Sequence, residues 1–378
     1  MPPARITLTL LTAALTLSAQ GPELRSFEQR LIEDEAATSA NVSSGDLDSD
    51  GDLDLVLAKG RHWPLNNRIL LNNGQGEFGP AADLDKTPDR TYTAALADLD
   101  GDGDLDIAVS NDRPDASRSY LNNGAGGFEA AGEFGRAEWS TRNMTLADVN
   151  GDEYPDAILA NRGSPQRGRP RTSAVCLGDG TGRFPRCSEL IGTESATTIV
   201  AADFDGDGAI DLAAPHRDGG GSLLFWGDGS GNFPEGAPFG LPQSNARAAA
   251  AGDMDGDGRT DLVVGDQQRG VLVVRNLGGR RLREALAVSG PGRQPYSIAL
   301  ADLNRDGSLD IVVGYREARG SVFFNDGSGG FHREAEWNDG EGAVYGLALA
   351  DLDGDGWIDI AAARSNGRNG VWFNRKPD

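Results

Sequence analysis

Residues 92–111 read Tyr92-Thr-Ala-Ala-Leu-Ala-Asp98-Leu-Asp-Gly-Asp-Gly-Asp-Leu-Asp106-Ile-Ala-Val-Ser-Asn111. A short apolar run enters an aspartate-rich loop, and a second leaves it. Both are strand-length and lack helical periodicity, as expected of strands buried on two faces. The loop follows D-x-[DN]-x-D-G-x-x-D, which brings oxygens at positions one, three, five and nine towards one point. Position seven varies freely (Asp52, Asp104, Tyr154, Ala209, Arg259, Ser308, Trp357), which suits a backbone carbonyl ligand. All-oxygen, carboxylate-rich cages select a hard cation, and flexible coordination favours Ca²⁺ over Mg²⁺.

The same nine residues recur through the chain, and a fixed period is the mark of a repeat architecture. First positions are Asp46, Asp98, Asp148, Asp203, Asp253, Asp302 and Asp351, spaced by 52, 50, 55, 50, 49 and 49 residues. Third positions are Asp48, Asp100, Asn150, Asp205, Asp255, Asn304 and Asp353. Fifth positions are Asp50, Asp102, Asp152, Asp207, Asp257, Asp306 and Asp355, and ninth positions are Asp54, Asp106, Asp156, Asp211, Asp261, Asp310 and Asp359. Up to seven structural calcium ions are expected. The third loop is the weakest, with Asn150, Glu153 in place of glycine, and Pro155. An EF-hand needs a glutamate at position twelve and flanking helices. Here that position is Leu57, Val109, Leu159, Ala214, Val264, Val313 or Ala362.

A spacing near 50 residues fits a four-stranded propeller blade. Gly-rich turns such as Asn72-Asn-Gly-Gln-Gly-Glu-Phe78 read as hairpins between third and fourth strands. Phe78, Phe128, Phe233 and Phe331 each precede the next loop by 20 residues, and Phe27 precedes Asp46 by 19. A fourth strand near Phe27 therefore has no first three, while Val371-Trp-Phe-Asn374 is a third strand at which the chain stops. The expected fold is all-β: a seven-bladed β-propeller over residues 20–378, with the N-terminal strand closing the last blade and leaving no open edge.

The loops together with the Asn-Asn-Gly turns resemble FG-GAP/VCBS repeats, across roughly residues 26–374. That resemblance implies a calcium-binding propeller. It implies no single function, because such propellers bind proteins or sugars and some related ones are polysaccharide lyases.

The net charge of −23 is concentrated in the loops, which argues against a nucleic-acid partner. Residues 1–19 read as a secretory leader, with Arg5, an apolar run too short to span a bilayer, and Ala19 before the cleavage point. No membrane span follows. A secreted or periplasmic monomer is expected, and Cys176 and Cys187, flanking one hairpin turn, are candidates for a local disulfide.

Ligands are expected on the face opposite the calcium loops. Five residues after each ninth-position aspartate stand polar residues, among them Lys59, His216, Tyr315 and Arg364. Beside them lie Arg61, Arg113, Arg162, Arg217 and Arg316. Six residues before the loops stand Ala40, Tyr92, Arg142, Thr197, Arg247, Tyr296 and Tyr345, with Trp63 and Trp139 in the same connections. Arg and Tyr at a rim suit carboxylate, sulfate or sugar recognition. The expected role is a binding or adhesion module for an anionic glycan or a protein partner. The alternative is a lyase on uronate glycans, with His216 or a tyrosine as base; no nucleophile elbow, HExxH or phosphate loop is present.

Overall fold

A computed structural model describes residues 25–163, 172–234, 236–239, 241–283 and 285–376; the leader read at residues 1–19 lies outside them. The described residues form seven four-stranded antiparallel sheets and no helix, so none is long and apolar enough to cross a membrane. In six sheets the strands lie side by side in chain order. Blade 1, for example, runs Ser39–Gly45, Asp54–Lys59, Arg68–Leu70 and Ala82–Asp83. Blade 7 takes Ala343–Ala350, Asp359–Ser365 and Gly370–Arg375 from the C-terminus, and its fourth strand is Ser26–Leu31. Phe27 pairs with Asn374 and Gln29 with Trp372. The first strands of successive blades pack against one another, and that of blade 7 meets that of blade 1, so the ring is closed.

Second strands are sandwiched between neighbouring blades, which explains their continuous apolar sequence. Every residue of Asp54–Lys59, Asp106–Asn111 and Asp156–Asn161 is buried. The core is accordingly a set of layers between blades, such as Leu55, Leu57 and Leu70 of blade 1 on Ala361, Val371 and Phe373 of blade 7. Outer strands are less packed, and those of blades 1, 4 and 5 are only 2 or 3 residues long. Phe128 and Phe331 open the outer strands of blades 2 and 6, but Phe78 makes only a single bridge, to Asn72. In blade 3, Cys176 and Cys187 sit opposite each other on adjacent strands and are joined as a disulfide.

The first asparagine of the Gly-rich turns does more than turn the chain. The amide groups of Asn72, Asn122, Asn276, Asn325 and Asn374 each donate to a carbonyl in the preceding blade's aspartate loop: Leu352, Leu47, Phe204, Met254 and Leu303, at 2.6–3.0 Å. Blades 3 and 4 have Gly178 and Gly227 at this position. There the backbone amides of Gly182 and Gly231 reach Leu99 and Val149 instead, at 3.1 and 2.9 Å.

Six of the seven inner strands carry a β-bulge two residues in. The pairing skips Ala40, Tyr92, Arg142, Arg247, Tyr296 and Tyr345. A bulge sets two residues against one and re-aims the extra side chain. These are the residues that stand six before each loop.

Candidate functional site

Two sites stand at opposite ends of the inner strands. At the C-terminal ends are the aspartate loops, which share one backbone. Positions four and six are left-handed in every loop: Ser49, Gly101, Gly151, Gly206, Gly256, Arg305 and Gly354 at φ 57–81°, and six glycines plus Glu153 at φ 74–96°. Glu153 and Arg305 therefore hold a conformation that favours glycine. The first-position carboxylate accepts the amide of position six, as in Gly103 to Asp98 at 3.0 Å and Gly356 to Asp351 at 2.7 Å. The fifth-position carboxylate accepts the amide of position seven, as in Ala209 to Asp207 at 2.9 Å.

Ninth-position aspartates are the anchors. Asp54, Asp156, Asp211, Asp261, Asp310 and Asp359 are wholly buried, and Asp106 nearly so. One oxygen accepts the amide of loop position two and the other an amide at the end of the third strand. For Asp359 these come from Leu352 and Asn374, both at 2.9 Å. Burial outweighs these two donors and pushes the carboxyls up, Asp54, Asp106 and Asp261 to about 6 and Asp310 and Asp359 to about 7. A carboxyl whose folded pKa exceeds its unfolded value of about 3.9 holds more protons when folded, so stability falls as pH rises between the two. Metal-free protein is therefore expected to melt lower at pH 8 than at pH 5.5, and calcium to narrow that gap; equal melting temperatures at both pH values would contradict this.

The residues fit a cation. In five loops three carboxylate oxygens lie within 4.8 Å of one another: Asp46/Asp48/Asp50, Asp98/Asp100/Asp106, Asp203/Asp205/Asp211, Asp253/Asp255/Asp261 and Asp351/Asp353/Asp355. The other two loops carry Asn150 and Asn304 at position three. Oδ1 of Asp46, Asp48, Asp255 and Asp351 is buried with no hydrogen-bond donor. Arginines partly balance three loops, with Arg280 on Asp205 at 2.6 Å, Arg275 on Asp255, and Arg375 on Asp353 and Asp355 at 2.5 and 2.7 Å.

At the opposite ends of the inner strands lies a cavity of about 270 Å³. The seven residues standing six before the loops all line it, with Arg61, His62, Arg162, Arg217 and the neighbours Asn41, Thr93 and Asn143. Five lining residues are arginines and none is a carboxylate. The guanidiniums lie on tyrosine faces: Arg61 is 3.7 Å from the Tyr345 ring, Arg247 is 3.9 Å from Tyr296 and 4.8 Å from Tyr345, and Arg142 is 4.5 Å from Tyr92. Burial pushes the Arg247 and Arg217 guanidiniums down, and neighbouring arginines add to it. Nε of Arg61 and Arg142 has no acceptor. The site is a cluster of positive charge in an acidic chain, with Arg142 paired to Asp112 and Arg162 to Asp218, each at 3.1 Å, behind the lining.

Not every expected rim residue reaches it. Lys59 and Tyr315 end second strands, Arg364 is the last residue but one of another, and His216 lies two residues beyond the strand Asp211–Ala214; none of the four lines the cavity. Lys59 pairs with Glu33 at 2.6 Å and Arg364 with Asp339 at 2.6 Å, while Tyr315 packs with Val271 and Phe323. His216 is buried, burial pushes its ring down, and it lines a separate pocket with Glu194 and Arg217 rather than this cavity. Arg113 and Arg316 are exposed and do not line the cavity, and Trp139 is core. Trp63, beside His62, is 69% exposed.

Two residues that the alignment did not single out belong to the site. Asp112 Oδ2 accepts from His62 Nδ1 at 2.9 Å and from Arg142 at 3.1 Å, and the Tyr92 hydroxyl meets His62 Nε2 at 3.1 Å. Burial opposes ionisation of Asp112, but the His62 bond and the Arg142 charge hold it below the usual carboxylate range. Neither residue recurs between blades, so periodicity gives no signal for them.

The whole shape is similar to solved propellers. A lectin from Burkholderia pseudomallei, BP39L, matches with a TM-score of 0.66 at 16% identity, over 89% of this chain and 96% of its own. An Agrocybe aegerita lectin specific for non-reducing terminal N-acetylglucosamine matches at 0.56 and 21% identity, over 79% and 80% of the two chains. BBS1N, in a complex with ARL6DN, matches at 0.61 and 12% identity, over 94% and 98%. No curated protein matches in sequence. The FG-GAP-like repeat model matches residues 46–109, 98–159, 148–214, 203–264, 253–313 and 302–362, each span running from one aspartate loop through the next. Motif, spacing and ring thus agree, and the chain belongs to the FG-GAP-like repeat family.

Proposed function

We propose that this propeller is an exported, calcium-stabilised binding module that holds an anionic glycan in its arginine cavity. The carrying observation is the lining itself: five arginines and three tyrosines round one cavity without a carboxylate. Guanidiniums pair bidentately with carboxylate or sulfate, and tyrosine rings supply apolar faces for sugars. Lectin activity among its structural neighbours supports the reading. The calcium loops brace the opposite end of the inner strands, and the disulfide suits an oxidising compartment.

Isothermal titration against sulfated, uronate-bearing and neutral oligosaccharides tests this. Anionic members are expected to bind, with affinity falling as salt rises. Arg247→Ala is expected to weaken binding about 10- to 100-fold, since it removes charged hydrogen bonds in a desolvated site. Equal affinity for neutral glycans, or indifference to Arg247→Ala, would reject it.

A further inference from the structure

The cavity holds more positive charge than the protein itself balances. Five arginines line it: Arg61, Arg142, Arg162, Arg217 and Arg247. Asp112 takes up Arg142, and Asp218 takes up Arg162, with Arg217 3.9 Å from the same Asp218 carboxylate. Five positive charges less two negative leave three. Much of that surplus gathers round one ring. Neither Arg61 nor Arg247 has a carboxylate partner among the described residues, and their guanidiniums lie 3.7 and 4.8 Å from the Tyr345 ring. Burial pushes the Tyr345 hydroxyl up against the pull of Arg247 and Arg61, so the ring stays neutral and offsets neither charge. Burial pushes Arg247 down to about 10, and Arg217 and Arg61 add to it, so it remains a cation at neutral pH. Nε of Arg61, Arg142 and Arg217 is buried without an acceptor. An unmade buried hydrogen bond is a cost that an incoming oxyanion removes.

The donors also arrive from several directions. Arg61 belongs to blade 1, Arg142 to blade 3, Arg217 to blade 4 and Arg247 to blade 5. A carboxylate presents two oxygens in one plane, which guanidinium forks fill edge-on. A phosphomonoester presents three oxygens in a pyramid and carries about −1.5 to −2 charge at neutral pH. A sulfate ester has the same shape and a single charge. We infer that the cavity selects a phosphomonoester carried at the end of a sugar, over the singly charged sulfate and uronate, with Arg61, Arg217 and Arg247 as its donors. This rests on the anionic-glycan reading above and narrows the anion to a dianion. A volume of about 270 Å³ leaves room for the phosphate and one sugar unit.

Isothermal titration of the full chain with calcium, at pH 7.5, compares glucose 6-phosphate, glucose 6-sulfate, glucuronate and inorganic phosphate. The two esters share a shape and differ by about one charge, so their ratio reads charge selection. Glucose 6-phosphate is expected to bind about 10-fold or more tighter than each of the other three. Arg61→Gln and Arg247→Gln are each expected to bring the phosphate-to-sulfate ratio within about 3-fold of one, with melting temperatures confirming that both fold. The wild-type comparison needs neither variant. Sulfate ester or glucuronate binding as tightly as the phosphate ester overturns the dianion and leaves the anionic-glycan reading standing. Inorganic phosphate binding as tightly as the sugar ester overturns the sugar-borne source, and the glycan reading with it. No binding by any of the four overturns both. A wild-type ratio kept by both variants overturns the assignment of these arginines as the donors.

Discussion

Stripping calcium with EDTA is expected to lower the melting temperature by about 4–14 °C. Extracellular modules hold Ca²⁺ with dissociation constants of about 10⁻⁴–10⁻³ M, so at millimolar calcium each filled loop adds on the order of 0.4–1.4 kcal/mol. Seven loops add about 3–10 kcal/mol, comparable with the roughly 5–15 kcal/mol of a whole domain. Unfolding entropy of about 2.1 cal/mol/K per residue converts this into the quoted shift for a chain of this length. The direction follows from the loops themselves. Asp48 and Asp100 are pushed up by burial and by the neighbouring Asp50 and Asp102 charges, which is a repulsion a cation removes. Calorimetry with and without chelator is the measurement, and superimposable curves would end the structural-calcium proposal.

Asp359→Asn is expected to destabilise the metal-free protein by about 2–4 kcal/mol, although the side chain keeps its size. Both Asp359 oxygens accept buried backbone amides, from Leu352 and Asn374. An asparagine turns one acceptor into an NH₂ group facing an N–H. That leaves two donors opposed and breaks the link between loop and third strand. The cost is expected to grow at pH 5, because protonation of the wild-type carboxyl, pushed up to about 7 by burial, stabilises the folded wild type there and the asparagine does not titrate. Urea denaturation in EDTA at pH 8 and pH 5 measures both. A loss below about 1 kcal/mol at pH 8 would mean that the buried amides find other acceptors.

The frame of this molecule is written in polar residues at a fixed period, and that is why the sequence exposes it. An aspartate loop can occur only where an inner strand ends, and an unpaired fourth strand at Phe27 has to find the third strand at Asn374 across the closure. The asparagine of the turn is visible too, but as a hairpin signal. Its amide contact to the preceding blade depends on a carbonyl about 70 or more residues away and has no local signature. The misplaced rim residues fail for the same reason. Lys59 and Arg364 are polar, so they look exposed, but Glu33 and Asp339 are supplied from distant segments to receive them. His62 and Asp112 are single-blade features that periodicity averages away.

The extra residue in each inner-strand bulge separates recognition from architecture. Because the ladder passes over it, that position carries no pairing duty. Alanine, tyrosine and arginine all occupy it in one chain while the flanking register stays the same. Specificity in such a ring can therefore be rewritten one spoke at a time, by engineering or by descent, without renegotiating the fold that holds the spokes.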